Sequence, residues 1–286
     1  MCSNKNYIWG RKKQNTTNKR YINVYSFVFQ EFALVIILVT NDDGINAEGI
    51  KVLANAMSEI GEVFVIAPDR QRSAVGMSIT IEHPLRVEKL DERRLSVNGM
   101  PTDCVHLAIH KLMQVPPDII VSGINDGQNI GYDIYHSGTV AAAITGTMFG
   151  IPSIAVSLAI NDNKEGKIYY DTAAQVAKKV TMSIFNKPLP MGRLLNVNVP
   201  NLPISKINGI EITRHCSATY DIEIHDRKDP RGKDYYWLGG VFQDYGDNSK
   251  TDLDALNQKK VSITPLSLDL TDYEMIQELS DWFTDI

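Results

Sequence analysis

Two adjacent aspartates, Asp42 and Asp43, lie in a polar segment that follows an apolar run at residues 35–39. Successive side chains of a strand point to opposite faces, so both carboxylates can reach one ion only where the chain turns, and Gly44 tolerates the positive φ of a tight turn. Two carboxylates at one site repel each other unless a cation neutralises them, and hard divalent ions such as Mg²⁺ or Mn²⁺ prefer oxygen ligands. The pair therefore indicates a metal site; the alternative is an Asx turn with an N-cap for a helix that begins near residue 47.

A second polar segment, residues 66–76, contains two arginines, Arg70 and Arg72, together with Ser73. Guanidinium groups match the geometry of phosphate oxygens, so this loop suits an anion site. Asp69 and Arg70 could equally form only a local ion pair.

A third polar segment, residues 121–131, contains three glycines and several oxygen donors, among which Asn125 could offer its side-chain carbonyl to a metal. Residues 135–143 follow as a polar turn that opens a helix of small residues. The free N–H groups and the dipole at such a helix start favour an anion. Ser137 or Thr139 could instead act only as an N-cap.

Short apolar runs alternate with amphipathic segments from residue 35 onward. Predicted strands cover residues 35–40, 62–67, 118–122, 153–158 and 194–199, and predicted helices cover residues 47–58, 101–113, 138–149 and 170–185. This order predicts an α/β fold with a doubly wound, mostly parallel sheet and a Rossmann-like three-layer core. Ligands bind beyond the carboxyl ends of the strands in such sheets, and each polar segment follows a predicted strand.

Two regions depart from this alternation. Residues 78–98 alternate between apolar and polar residues, which predicts a hairpin inserted in the core. After about Ile204 the chain becomes β-like and rich in loops, before a strand at 261–265 and an amphipathic helix at 272–285. We predict that residues 204–286 form a β-rich arm and tail that make oligomer contacts.

The composition favours a small-molecule substrate. The chain has 286 residues with 43% hydrophobic content, enough for a full core, and its net charge of −5 predicts neither duplex nucleic acid nor an anionic membrane as a partner. Cys2, Cys104 and Cys216 contain no CxxC pair, which argues against a disulfide framework or a zinc cluster and favours the reducing cytoplasm. His106 and His110 lack the glutamate of a zinc-protease motif, so we interpret them as structural.

Residues 1–33 differ from the rest of the chain because they contain six Lys or Arg and one acidic residue. We predict that they form a disordered extension outside a main domain at 34–286. The apolar run at 32–39 is too short to span a bilayer, and no small-residue cleavage site follows it. It is therefore interpreted as a buried first strand, with no targeting role and no membrane association.

Six segments, taken together, resemble the SurE survival-protein family of acid phosphatases and nucleotidases. They are ILVTNDDGINAEGI (37–50), APDRQRSAVGMSIT (67–80), GMPTDCV (99–105), SGINDGQNIGYDIYHSGTVAAA (122–143), LNVNVP (195–200) and VSITPL (261–266). Several long matches in the same order are more specific than any single motif, and they extend from about residue 35 to 270. This sequence departs from the family pattern in three places. It has the basic extension, it has Met100 where a threonine is usual, and it has His136 where the family varies.

The resemblance implies specific roles for residues of these segments. One divalent cation, Mg²⁺ or Mn²⁺, would be held by Asp42, Asp43, Ser73 and Asn125. Phosphate would be bound by Ser137, Gly138 and Thr139, with Asn129 also assigned to substrate binding. Asp42 and Asp43 would be catalytic, either beside a metal-activated water or, as the minority alternative, by direct attack on phosphorus.

The activity that this resemblance implies is that of a 5′-nucleotidase, which releases phosphate from nucleoside monophosphates. The family's exchanged β-arm implies a homodimer or homotetramer. A non-catalytic regulator that binds nucleotides or phosphate is the alternative function. Haloacid-dehalogenase phosphatases space their acids as Asp-x-Asp, and no G-x-G-x-x-G follows the first strand, so those enzymes and dinucleotide enzymes fit less well.

Overall fold

The computed structural model describes residues 35–160, 166–244, 246 and 249–283. The predicted N-terminal extension at 1–33 lies outside the described residues. The strands, in chain order, are β1 (Ile36–Thr40), β2 (Glu62–Pro68), β3 (Val87–Lys89), β4 (Arg94–Val97), β5 (Ile119–Asp126), β6 (Ser153–Ala159), β7 (Arg193–Pro200), β8 (Ile210–Ile212), β9 (Ala218–Lys228), β10 (Asp234–Asp244) and β11 (Val261–Ser267). The α-helices are α1 (Glu48–Met57), α2 (Pro101–Leu107), α3 (Gly138–Met148), α4 (Tyr170–Asn186), α5 (Asp252–Asn257) and α6 (Tyr273–Trp282).

The central sheet has nine strands in the described chain, in the order β3-β4-β2-β1-β5-β6-β7-β11-β8. From β1 the chain adds β2 and β4 on one side and then β5, β6 and β7 on the other, and all of these neighbours pair in parallel. Only β3 with β4 and β11 with β7 pair antiparallel within this sheet, as far as the structure describes it. The prediction of a doubly wound, mostly parallel sheet is confirmed, and its switch point lies between β1 and β5.

Helices cover both faces of the sheet. On one face α1 packs against α4, and on the other α2 packs against α3. The side chains of β1 alternate between these layers, since Ile37 and Val39 join one buried cluster and Leu38 joins the other. Each such side chain contributes about 2 kcal/mol by leaving water, so both faces of β1 anchor the strand that carries the aspartates.

The C-terminal region contains a long antiparallel hairpin, which we call the arm and which consists of β9 and β10. Its register pairs Ile222 with Gly240 and Ile224 with Leu238. Several of its apolar side chains are exposed, including Ile224 and Trp237. This hairpin confirms the prediction that the C-terminal region contains a β-rich arm.

Residues 78–98 differ in part from the predicted hairpin. Strands β3 and β4 pair, but residues 78–86 form no strand and bend at residues 82–83. The backbone there bonds to side chains instead of a neighbouring strand: Thr80 N–H donates to Asp103 and Arg86 N–H to Asn98. Pro84 also has no backbone N–H to donate to a neighbouring strand, so the prediction is wrong for residues 78–86.

Candidate active site

The turn after β1 is held by Asn41 and Gly44. The Asn41 amide donates to the carbonyl of Gly44 at 3.0 Å and its oxygen accepts from the Gly44 N–H at 3.1 Å. Gly44 has φ +99°, and a Cβ there would lie 2.9 Å from the carbonyl carbon of Arg70. Helix α1 has Ala47 at its N-cap, with no side-chain cap. The turn at Gly44 is thus as predicted, while Asn41 makes the local turn bonds and leaves the two aspartates available for other contacts.

Asp42 is buried against the start of α3. The Thr139 hydroxyl donates to Asp42 Oδ1, and a Cβ on Gly138 would lie 2.9 Å from Asp42 Oδ2. Burial raises the pKa of Asp42, and hydrogen bonds from Thr139 and from the backbone of Gly138 lower it by less. Burial therefore disfavours the charged form of this carboxylate, and a nearby positive charge would stabilise that form.

Asp43 is half-buried and linked to the end of β5. Its Oδ2 accepts from the Asp126 N–H at 3.2 Å. Asp126 in turn accepts at Oδ1 from the Tyr170 hydroxyl at 2.5 Å, which places the first residue of α4 behind the pair. Burial, then the bond to Asp126, raises the pKa of Tyr170, so this hydroxyl stays a donor.

Asn125 and Ser73 approach the same place from two other strand ends. The Asn125 amide nitrogen donates to the Gly127 carbonyl at 2.7 Å, which fixes the side chain with its oxygen on the opposite side. Ser73 is exposed in the loop after β2, and its Oγ accepts from the Gln71 amide at 2.8 Å.

A cavity of about 620 Å³ opens at this edge of the sheet. Three of the four predicted metal ligands, Asp42, Ser73 and Asn125, line it, and Asp43 lies beside it through its bond to the lining residue Asp126. The remaining lining residues come from the loop after β2, from the segment after β5 and from the arm. They are Ala74, Gln128, Asn129, Tyr132, Asp133, His136, Ser137, Ile222, Leu238, Gly239 and Gly240.

The predicted phosphate-binding residues occupy different environments. Ser137 lines the cavity and its Oγ accepts from the Val140 N–H at 3.1 Å, so it caps α3 as well. Gly138 and Thr139 lie against Asp42. Asn129 lines the cavity, but its amide nitrogen donates to Ser157 Oγ at 2.8 Å. Their phosphate contacts remain predictions.

The two arginines of the second loop do not line this cavity. Arg72 donates to Asp69 at 3.3 Å and to the carbonyl of Asn98 at 3.0 Å, and Arg70 is exposed. The local ion pair is therefore Asp69 with Arg72, rather than with Arg70. The loop contributes Ser73 to the site.

Sequence reasoning did not single out Tyr132, Asp133 or the arm residues that line the cavity. Tyr132 and Asp133 lie between two segments that attracted attention for glycines and a helix start, so their position was the available signal. Burial raises the pKa of Asp133. No local pattern connects Ile222 and Leu238 to a site whose lining residues outside the arm lie between Asp42 and Ser137.

The structural interpretation of the other candidates agrees with the contacts. His106 and His110 stack on each other and make T-shaped contacts with Phe149, and neither lines the cavity. Cys104 and Cys216 are buried free thiols. Within the described residues, no three His, Cys, Asp or Glu side chains form a group that could hold a metal. The predicted ligand set is of a different kind, because it has two acidic members and two neutral ones.

A family model described as Survival protein SurE matches residues 37–222. This chain belongs to the SurE family. The 5′-nucleotidase SurE of Pelobacter propionicus is 48% identical over 246 residues, which are 86% of this chain and 98% of that protein. The same-named protein of Geotalea daltonii is 49% identical over the same shares of both chains, and that of Legionella pneumophila strain Paris is 47% identical over 87% of this chain and 98% of its own.

The SurE fold is also seen in a solved structure. The crystal structure of SurE protein from Aquifex aeolicus aligns with a TM-score of 0.76 and 38% identity, over 86% of this chain and 99% of that one. Among the described residues, no helix combines the length and the apolar character that crossing a bilayer requires.

Proposed function

We propose that this chain is a metal-dependent phosphomonoesterase that hydrolyses nucleoside 5′-monophosphates, and also 3′-monophosphates and short polyphosphate, in the cytoplasm. The observation that carries the proposal is the meeting of Asp42, Ser73 and Asn125 from three strand ends around one cavity. Its volume of about 620 Å³ lies in the range of small-molecule sites. Relatives that are 46–49% identical and named 5′-nucleotidase SurE support the substrate class.

The residues present fit a hard divalent cation. Asp42, Asp43, Ser73 and Asn125 would hold it, since carboxylate, hydroxyl and amide oxygens are the ligands that Mg²⁺ and Mn²⁺ prefer. The buried Asp42, whose pKa is raised by burial, is the kind of carboxylate that a cation stabilises in its charged form. When bound, such an ion supplies positive charge next to phosphate oxygens.

The chain's own residues fix the geometry of the reaction. Thr139 holds Asp42, and the Asp126 N–H holds Asp43, so both carboxylates are oriented before substrate arrives. Ser137 at the start of α3 would bind phosphate oxygens at the cavity wall. Tyr132 and the arm would enclose the nucleoside part and limit the access of water.

A water molecule is the nucleophile in this proposal, and direct attack by Asp42 or Asp43 is the competing route. Acid quench during turnover followed by mass spectrometry separates the two. An intact chain mass without added phosphate is expected; a phosphorylated aspartate would establish the covalent route.

The proposal is tested by phosphate release from a panel of nucleoside 5′- and 3′-monophosphates, using metal-stripped protein with and without Mg²⁺ or Mn²⁺. Release that depends on the metal and is lost in Asp43→Asn is expected, while Asp91→Asn, the same change in the exposed turn between β3 and β4, keeps full activity. Folded protein that binds nucleotide without releasing phosphate would instead identify a binding protein.

We also propose that the arm joins subunits into a homodimer or homotetramer. An isolated two-stranded hairpin is marginally stable in water, and this one exposes apolar side chains on both faces, including Tyr236 and Trp237 at 66% and 64%. Light scattering should give two or four times the chain mass of 32.0 kDa. A mass of one chain at micromolar concentration would reject this assembly.

A further inference from the structure

Asp252, at the start of α5, is a fully buried carboxylate outside the cavity. Its Oδ2 accepts from the Gly131 N–H at 3.0 Å, and its Oδ1 accepts from the N–H groups of Cys216 and Leu253, each at 2.9 Å. His215 Nδ1 lies 3.5 Å from Oδ2. Burial raises the pKa of Asp252, but the nearby His215 imidazole and the N–H groups of Gly131 and Cys216 lower it by more, so the carboxylate stays charged.

The donors around Asp252 belong to two functional parts of the molecule. Gly131 begins the short 3₁₀ turn Gly131–Tyr135, which carries Tyr132 and Asp133 in the cavity wall. Cys216 lies two residues before the arm begins at Ala218. One carboxylate therefore joins the wall of the site to the base of the arm. We call the contact of Asp252 with Gly131 and Cys216 the joint.

Packing at the joint leaves no free space. A Cβ on Gly131 would lie 2.7 Å from the carbonyl oxygen of Ala218 and 3.0 Å from the sulfur of Cys216, and Gly131 has φ +53°. Ile130, Cys216 and Ala218 form a small buried cluster around these contacts. Because the turn Gly131–Tyr135 and the base of the arm are closely packed, neither can shift without displacing the other.

From this base the arm reaches the cavity within a few residues. Ile222, four residues beyond Ala218, lines the cavity, and so do Leu238 and Gly240 on the paired strand. A shift of the arm's base would displace these side chains from the wall that faces the substrate.

We propose that Asp252 is a positioning residue, which holds the arm against the turn Gly131–Tyr135 and thereby sets the fit of the nucleoside part of the substrate. This inference rests on the proposed nucleotidase function. Asp252 does not line the cavity, so it acts through Gly131 and Cys216 rather than by contact with substrate.

The variant Asp252→Asn separates nucleoside fit from phosphate binding. Its amide nitrogen replaces one acceptor, so at least one buried backbone N–H loses its partner. The KM for a nucleoside 5′-monophosphate should rise about tenfold, whereas the inhibition constant of inorganic phosphate should change by less than about twofold. Asp254→Asn is the matched control, because Asp254 bonds only to Lys250 and Gln258 in the contacts described and should leave both constants unchanged.

Gly131→Ala perturbs the joint from the other side and should show the same split, since its Cβ would meet Ala218. Wild-type KM values in both folded variants, or a parallel rise of the phosphate inhibition constant, would overturn the inference.

Hydrogen exchange of the wild-type protein tests the joint without variants. The amides of Gly131 and Cys216 should be protected at least a hundredfold relative to exposed loop amides. Unprotected amides would also overturn the inference, even if both variants failed to fold. Absence of wild-type phosphatase activity would reject the proposed function and leave this exchange test of the joint intact.

Discussion

Thr139 affects both the orientation and the charge of the Asp42 carboxylate. Its hydroxyl donates to Asp42 Oδ1, and this bond partly offsets the burial that raises the pKa of the carboxylate. A partner that orients a metal ligand affects both the direction of its lone pairs and the ease with which it stays charged. We therefore propose that Thr139 supports the proposed metal ligand Asp42 and does not contact phosphate.

Thr139→Val should weaken metal binding while the fold persists. Valine keeps the shape but removes the donor, so the metal concentration at half-maximal activity should rise about tenfold or more. Thr145→Val is the control, because Thr145 is buried on the same helix and donates only to the carbonyl of Ala141 among the bonds described. An unchanged metal requirement in Thr139→Val would remove Thr139 from this role.

Asp252 should make stability depend on acid pH. Its pKa in the folded state lies below the ordinary value of 3.8, so the unfolded chain takes up the proton first and stability rises with pH. The stabilisation is complete above about pH 5 and is lost as pH falls below 3.8 through the folded-state pKa. The difference in unfolding free energy between wild type and Asp252→Asn, measured with urea, should be constant from pH 8 to about 5 and narrow below that. A difference that widens on acidification would contradict the assignment.

The residue types of the site could be predicted from sequence, but their bonds could not. Asp42, Ser73 and Asn125 stood out because oxygen-bearing side chains followed predicted strands, and the structure brings them to one cavity. Thr139 and Asn129 were also singled out, yet their partners, Asp42 and Ser157, are 97 and 28 residues away in the chain. Such distant pairings depend on the packing of several elements, which no local pattern contains.

At the scale of elements, small residues in the first turn of helix α3 allow it to lie close to the end of β1. Gly138 has no side chain, and Asp42 and Pro101 occupy the space where one would project. The close approach of α3 to the end of β1 brings the positive end of the helix dipole to the carboxylate. A helix with larger residues in its first turn would stand farther from the sheet and leave Asp42 without these donors.

Gly138→Ala should lower the activity while the fold stays intact. The added Cβ would lie 2.8 Å from Asp42 Cβ, so the aspartate or the helix must shift, and a misplaced catalytic group costs about a hundredfold in kcat/KM. Alanine favours a helix more than glycine does, so circular dichroism should show an intact fold. Wild-type activity would mean that the site tolerates a displaced Asp42.

Secondary-structure elements were predicted correctly where a long segment had a regular apolar period. The prediction failed where backbone groups bond to side chains instead of to a neighbouring strand. The helix predicted at 170–185 is observed as Tyr170–Asn186. Residues 78–86 alternate like a strand but bond to Asp103 and Asn98, partners that only the folded chain supplies. Helix α5 was not predicted because six residues are too few to show a helical period.

For the whole molecule, strand order follows from a few general rules. Alternating strands and helices, parallel pairing and right-handed crossovers leave the doubly wound arrangement. At its switch point between β1 and β5, Asp42 follows β1 and Asn125 lies near the end of β5. The arm is not part of this pattern. Its position depends on the joint at Asp252, so its contribution to the cavity was visible only in the folded structure.

The domain prediction gives a final test at this scale. The family model begins at residue 37, and the first strand of the sheet begins at Ile36. Every contact described here for the site and the joint lies between residues 41 and 253. We therefore expect a chain that begins at residue 34 to keep the wild-type kcat/KM and melting temperature. Both should be measured beside the full chain at equal metal concentration. A chain that begins at 34 and loses activity while it stays folded would show that the extension belongs to the catalytic domain.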